Sequence, residues 1–155
     1  MRRRILLLSL AALGLAAPAF GQETRVGDLV ITEAWSRAAG RGHNGAAFLT
    51  ITNRGNRPDQ LLSASSPEAG AIQVHESREE GGAMRMRETG PVEIPPGGSV
   101  TLRPGGLHIM LMELRQPLQQ GGEVPITLRF ARAGEVTVPF RVLAAGARGP
   151  REGAH

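Results

Sequence analysis

The sequence of 155 residues contains no cysteine and no tyrosine, and its aromatic residues are four Phe and one Trp. Without cysteine the chain has no disulfide, thiolate metal ligand, iron–sulfur cluster or thiol nucleophile. A blue-copper electron carrier is excluded as well, because its metal needs a cysteine ligand. The few aromatic side chains argue against a binder of single-stranded nucleic acid, which stacks bases on aromatic rings.

Lysine is also absent, so all 18 positive side chains are arginines, against 14 acidic residues and a formal net charge of +4. Three of these arginines are Arg2, Arg3 and Arg4. The rest of the chain is therefore nearly neutral, and it lacks the clustered basic charge expected of a general nucleic-acid binder.

The first 21 residues have the organisation of a secretory signal peptide. Arg2–Arg4 are followed by an apolar stretch over residues 5–17, and small residues allow cleavage after Ala19 or after Gly21. An uncleaved membrane anchor is the alternative, but the apolar stretch is short for a span of about 20 residues. We predict that residues 1–21 are a signal peptide and that the folded protein is periplasmic.

Beyond residue 25 short apolar segments alternate with turns rich in Gly, Pro, Asn and Asp, and no stretch has a helical period. This pattern predicts an all-β sandwich or Greek-key barrel over residues 22–143, followed by a disordered tail over residues 144–155. The predicted strands are Leu29–Glu33, Ala46–Thr52, Gln60–Ser65, Ile72–Glu76, Met84–Glu88, Val92–Ile94, Ser99–Leu102, His108–Glu113, Ile126–Ala131 and Glu135–Val142.

The methionines after the signal segment form two Met-x-Met pairs, each with a histidine upstream: His75 precedes Met84–Met86, and His108 precedes Met110–Met112. Residues two apart in a strand share a face, so each pair projects to one side of its strand. Thioether sulfur with imidazole suits Cu(I), and sulfur in a thioether cannot be lost to a disulfide. Alternatively the methionines fill a core, and the protein is a metal-independent β-sandwich interaction module.

Ten residues separate His75 from Met86, twenty-one separate Met86 from His108, and one separates His108 from Met110. This spacing resembles the H-x10-M-x21-H-x-M pattern of the periplasmic copper chaperones called PCuAC. The similarity covers about residues 26–143, including residues 34–37, 45–53, 84–87, 94–98 and 104–112.

The resemblance implies a cupredoxin-like Greek-key β-barrel or sandwich that is not an enzyme. It implies one Cu(I) bound by His75, Met86, His108 and Met110, and delivered to the copper centre of cytochrome c oxidase subunit II, alone or with a Sco-type chaperone. Copper storage or detoxification is an alternative that would use the same site.

Three further side chains are weaker candidates for copper ligation. Met84 and Met112 share the predicted faces of the motif methionines, and His43 lies in a glycine-rich segment. Because His108 follows the turn Pro104–Gly106, we expect the site near a rim of the barrel, where a partner protein reaches the metal.

Overall fold

The computed structural model describes residues 22–150, so the predicted signal peptide and the last five residues lie outside the described part of the chain. The described residues form eleven β-strands joined by turns. The strands are β1 (Thr24–Val26), β2 (Leu29–Arg37), β3 (Gly45–Asn53), β4 (Asp59–Ser65), β5 (Ala69–Glu80), β6 (Ala83–Glu88), β7 (Val92–Ile94), β8 (Ser99–Leu102), β9 (Leu107–Leu114), β10 (Glu123–Phe130) and β11 (Gly134–Leu143).

The strands form one sheet in the order β6-β5-β9-β3-β2-β11-β10-β4-β7, with β1 paired to β2 and β8 paired to β3. All pairs are antiparallel except β11 with β2, which run parallel. The path does not close on itself but wraps around the core as a cupredoxin-like sandwich, which confirms the predicted all-β class. All ten predicted strands are present; β1, only three residues long, was not predicted.

The main core is built from aliphatic side chains that alternate along the strands, as the period of a half-buried strand requires. On β9, Ile109 and Leu111 are completely buried, and Val74 on the adjacent β5 joins them. The alternate residues of β5 and β9 project from the opposite, outer face of the sheet. The candidate donors His108, Met110 and Met112 all belong to this outer face, as the strand period predicts.

A β-bulge in β2 determines where the single tryptophan lies. Between the pairs Thr32↔Thr50 and Trp35↔Phe48, β2 has one residue more than β3, and Glu33 there has a φ of 52°. The extra residue reverses the side on which the following side chains project. Trp35 therefore packs on Phe48 at the outer face, with ring centres 4.4 Å apart, instead of entering the main core.

The chain continues to pack against the domain after β11. Ala147 is buried with Trp35, Phe48 and Leu143, and its carbonyl oxygen accepts a hydrogen bond from Nε of Arg37 at 2.8 Å. Ala147 lies within the predicted tail of residues 144–155, so the chain contacts the domain at least as far as this residue. Sequence composition missed this contact because a small residue in a Gly- and Ala-rich segment carries no pattern.

Candidate metal centre

His75 and His108 come together because β5 and β9 are neighbouring antiparallel strands. The two residues are direct cross-strand partners, and their ring centres are 6.0 Å apart with the ring planes at 63°. Directly opposed residues of an antiparallel pair share a face, so both imidazoles lie on the outer face. Two imidazoles bound to one ion at metal–nitrogen distances of about 2 Å have ring centres up to roughly 6 Å apart. The observed separation fits that geometry.

His108 is held by the turn that precedes β9. Its Nδ1–H donates to the carbonyl oxygen of Gly106 at 3.0 Å, and the same oxygen accepts the backbone N–H of Ser77 at 3.1 Å. The carbonyl group of Gly106 therefore links the backbone of β5 to the imidazole of His108. His108 is only 4% exposed, and its Nε2 is buried without a hydrogen-bond partner among the described residues.

His75 is half-buried and is held by a side chain of its own strand. Its Nε2 lies 2.8 Å from Oε1 of Gln73. Because the amide oxygen can only accept, Nε2 carries the hydrogen. The other ring nitrogen, Nδ1, is buried and has no partner in the described chain. Each imidazole thus leaves one lone pair buried and unused, which is rare in native proteins and is a reason to look for a bound ion.

Met110 lies beside this pair of histidines. Its cross-strand partner on β5 is Gln73, and its partner on β3 is Ala46, which packs against the Trp35–Phe48 pair. Met110 is half-buried, two residues from His108 on the same face. Met110 is therefore a near neighbour of His108 on the outer face, with Ala46 opposite it on β3.

Met86 lies one strand further out, on the edge strand β6. It is opposed by Ser77, two residues beyond His75 on the same face, and its side chain is 62% exposed. Met84, opposed by Glu79, is 63% exposed. The structure therefore places Met86 on the face of the histidines but leaves its thioether in solvent.

Most charged side chains of the β5–β6 hairpin lie on its other face, but Glu88, the direct partner of His75, shares the face of the imidazoles. On the other face Glu80 pairs with Arg87 at 3.1 Å and with Arg85 at 4.0 Å. Within residues 22–150 no three His, Asp and Glu side chains form a cluster able to hold a metal.

The weaker candidates differ in their positions. Met112 shares the outer face and is opposed by Ala71 on β5. His43 is exposed in the loop before β3, and its carbonyl oxygen accepts the N–H of Leu114, six residues from His108. At about 3.3 Å per residue this is roughly 20 Å along β9, so His43 is remote from the imidazole pair.

His108 follows the turn at residues 104–106, but β5 continues from His75 to Glu80, so His75 lies within the strand. The sequence alone does not single out Gln73, because a glutamine alternating with apolar residues resembles any solvent-facing strand position.

The sequence of this chain matches a known protein family. The family model described as "Putative lipoprotein LpqE-like" matches residues 29–142. Protein Lxx21020 of Leifsonia xyli subsp. xyli, whose name also calls it a lipoprotein, is 36% identical over 141 residues, 88% of this chain and 84% of its own.

Two solved structures share the fold. The copper-bound PCuAC domain from PmoF2 aligns with a TM-score of 0.68 at 29% identity, covering 79% of this chain and 98% of that domain. The Cu(I) form of DR1885 from Deinococcus radiodurans aligns with a TM-score of 0.61 at 29% identity, covering 83% and 85% of the two chains. Among residues 22–150 no helix is long and apolar enough to cross a membrane.

Proposed function

The chain belongs to the LpqE-like family, and we propose that it is a periplasmic copper chaperone that binds one Cu(I) and passes it to an acceptor protein. The observation that carries the proposal is the pair of buried, unpartnered imidazole nitrogens on opposed residues of β5 and β9. A fold shared with copper-bound PCuAC domains supports the same assignment.

The proposed ligands are His75 through Nδ1, His108 through Nε2, and the thioethers of Met110 and Met86. Neutral sulfur and imidazole ligands favour Cu(I) over the hard cations Ca²⁺ and Mg²⁺. Three of the four side chains are already held close together by the pairing of β5 and β9. Met86 has to fold inward from solvent, and an unbranched thioether side chain on an exposed strand is suited to that movement.

The position of Met86 also suits release of the metal. An edge-strand ligand can leave the ion while the partly buried ligands still hold it, and an incoming donor from a partner can then take its place. We propose that the acceptor is the copper centre of cytochrome c oxidase subunit II or a Sco-type chaperone. Copper storage or detoxification would use the same site, so only the transfer step distinguishes these functions from delivery.

We propose export by cleavage of a signal peptide at residues 1–21. The family name refers to a lipoprotein, but the sequence contains no cysteine whose sulfur could carry a lipid anchor. The proposed location of the mature protein is the periplasm.

Competition against a Cu(I) chelator of known affinity tests the binding step. We expect one Cu(I) per chain, and binding no stronger than that of the double variant His75→Ala, His108→Ala would contradict the proposal. For delivery, the Cu(I)-loaded protein is mixed with an apo oxidase copper domain. Copper that stays on the chaperone in this mixture would instead favour storage.

A further inference from the structure

We propose that Gln73 is a positioning residue for His75: its amide oxygen fixes the imidazole as the Nε2–H tautomer and so presents Nδ1 to Cu(I). This inference rests on the proposed copper function and adds to it the ligating atom and the group that selects it. Gln73 is not one of the four motif residues, and it does not itself bind the metal.

The tautomer follows from elementary hydrogen-bond chemistry. A neutral imidazole has one N–H and one lone pair, and an amide oxygen only accepts. Nε2 of His75 lies 2.8 Å from Oε1 of Gln73, so the hydrogen is on Nε2 and the lone pair is on Nδ1. Nδ1 is also the atom that is buried without a partner in the described chain. The hydrogen bond to Gln73 assigns the tautomer, and the burial of Nδ1 places its lone pair inside the candidate site.

The second imidazole is held in the opposite tautomer. The carbonyl oxygen of Gly106 accepts Nδ1–H of His108, which leaves Nε2 as the unused nitrogen. Metal-bound histidines generally donate their other N–H to such a partner, which fixes the ring and raises its basicity. A backbone carbonyl holds the ring of His108, whereas the ring of His75 is held by a side chain, which can be changed by mutation.

The use of different nitrogens has a consequence for the position of the ion. Nδ1 is adjacent to the carbon that joins the ring to Cβ, whereas Nε2 is at the far end of the ring. An ion bound by Nδ1 of His75 and Nε2 of His108 therefore lies nearer to β5 than to β9. Because β6 flanks β5 on the side away from β9, this displacement brings the ion toward Met86.

The position of Gln73 makes it able to act on the site without blocking it. It is two residues from His75 on the same face, and its direct partner on β9 is Met110. Gln73 is half-buried, and its amide oxygen contacts Nε2 of His75. The hydrogen bond to His75 therefore forms at the border of the site.

The experiment compares the full mature protein with the variants Gln73→Leu, Gln73→Glu and Ser77→Ala. Ser77→Ala is the control, because Ser77 lies two residues from His75 on the other side and on the same face. Long-range ¹H–¹⁵N NMR reports the tautomer of each imidazole without copper, and chelator competition reports the Cu(I) affinity. If Gln73→Leu does not fold, Gln73→Asn replaces it, since it keeps the amide but shortens its reach.

We expect His75 as Nε2–H and His108 as Nδ1–H in the wild-type protein. Gln73→Leu should mix the tautomers of His75 alone and weaken Cu(I) binding by roughly 10- to 100-fold, the usual effect of losing such a partner. Gln73→Glu should keep the wild-type tautomer of His75 and the wild-type Cu(I) affinity, and Ser77→Ala should change neither. Retention of both with a carboxylate acceptor separates a positioning role from a packing role.

Either of two results would overturn the inference: a wild-type His75 that carries its proton on Nδ1, or a folded Gln73→Leu protein with unchanged tautomer and affinity. Failure of the wild-type protein to bind Cu(I) would instead defeat the proposed function. The tautomer of His75 in the copper-free protein would still test the role of Gln73, so the two failures are distinguishable.

Discussion

His75 and His108 are 33 positions apart in the sequence but directly opposed across β5 and β9, with ring centres 6.0 Å apart. Each ring uses one nitrogen in a hydrogen bond and leaves the other buried, with no partner among residues 22–150. Unpaired buried polar atoms cost about 1–3 kcal/mol each, so the apo protein holds these groups at a cost that a bound ion would remove.

The first prediction concerns the exposed thioether of Met86. Met86→Ile should lower Cu(I) affinity by roughly 10- to 100-fold, as other perturbations of metal sites do. Because the side chain is 62% exposed, the free energy of unfolding should change by no more than about 0.5 kcal/mol. Chelator competition and urea denaturation measure the two effects.

Met84→Ile is the matched control for Met86, since it lies on the same strand and face with the same exposure. The partner of Met84, Glu79, is two residues further from His75 than Ser77, the partner of Met86. The Met84→Ile protein should therefore retain most of the Cu(I) affinity. Equal losses in the two variants would remove Met86 from the ligand set.

The second prediction is a copper-dependent gain in thermal stability. A ligand that binds only the folded state stabilises it by about 2.7 kcal/mol when its free concentration is 100 times Kd. Cu(I) supplied through a chelator buffer should therefore raise Tm by several degrees in the wild-type protein. The double variant His75→Ala, His108→Ala should show no shift by calorimetry; a shift of the same size in that variant would indicate another binding site.

The third prediction concerns the contribution to stability of Asp59, which lies at the start of β4, remote from the candidate donors. Asp59 is buried, and its carboxylate accepts the backbone N–H groups of Gln60, Arg132 and Ala133. Hydrogen bonds to a charged group contribute about 1.5–3 kcal/mol each, so Asp59→Ala should destabilise the fold by at least about 2 kcal/mol.

Denaturant titration measures the loss at Asp59, and Glu93→Ala on the exposed side of β7 is the control, with an expected change within about 0.5 kcal/mol. Cu(I) affinity should be unchanged in the folded fraction of either variant. A stable Asp59→Ala protein would mean that water replaces the carboxylate without loss.

The fourth prediction concerns the segment after β11. A chain ending at Leu143 loses the buried Ala147 and the acceptor of the Arg37 hydrogen bond, so it should be less stable by about 1–3 kcal/mol. A chain ending at Pro150 keeps both contacts and should match the full-length protein. Trp35 fluorescence follows unfolding, and identical midpoints for the two truncations would show that the contact contributes nothing.

Much of this fold is predictable from sequence because its strands follow a simple alternation. Val92–Ile94 and Ser99–Leu102 have the predicted bounds, and Ile109 and Leu111 face the core as expected. The bulge at Glu33 is not predictable in this way, because one inserted residue leaves no mark on the apolar pattern while it moves Trp35 to the other face.

The candidate site, too, is only partly predictable from the sequence. The spacing of His75 and His108 marks them as candidates, but strand pairing decides that they meet. Local sequence cannot show that the Gly106 carbonyl holds one ring and Gln73 the other, since both contacts depend on the conformation of a turn and a side chain. Nor does it show that Met86 is in solvent, which follows from β6 being an edge strand.

The aliphatic core and the candidate donors occupy opposite sides of β5 and β9. Exchanging the candidate donors would therefore leave the packing of the aliphatic core in place. Replacing the methionines with carboxylates or imidazoles would convert the same platform to harder ions such as Zn²⁺. The domain therefore offers a ready template for engineering metal selectivity.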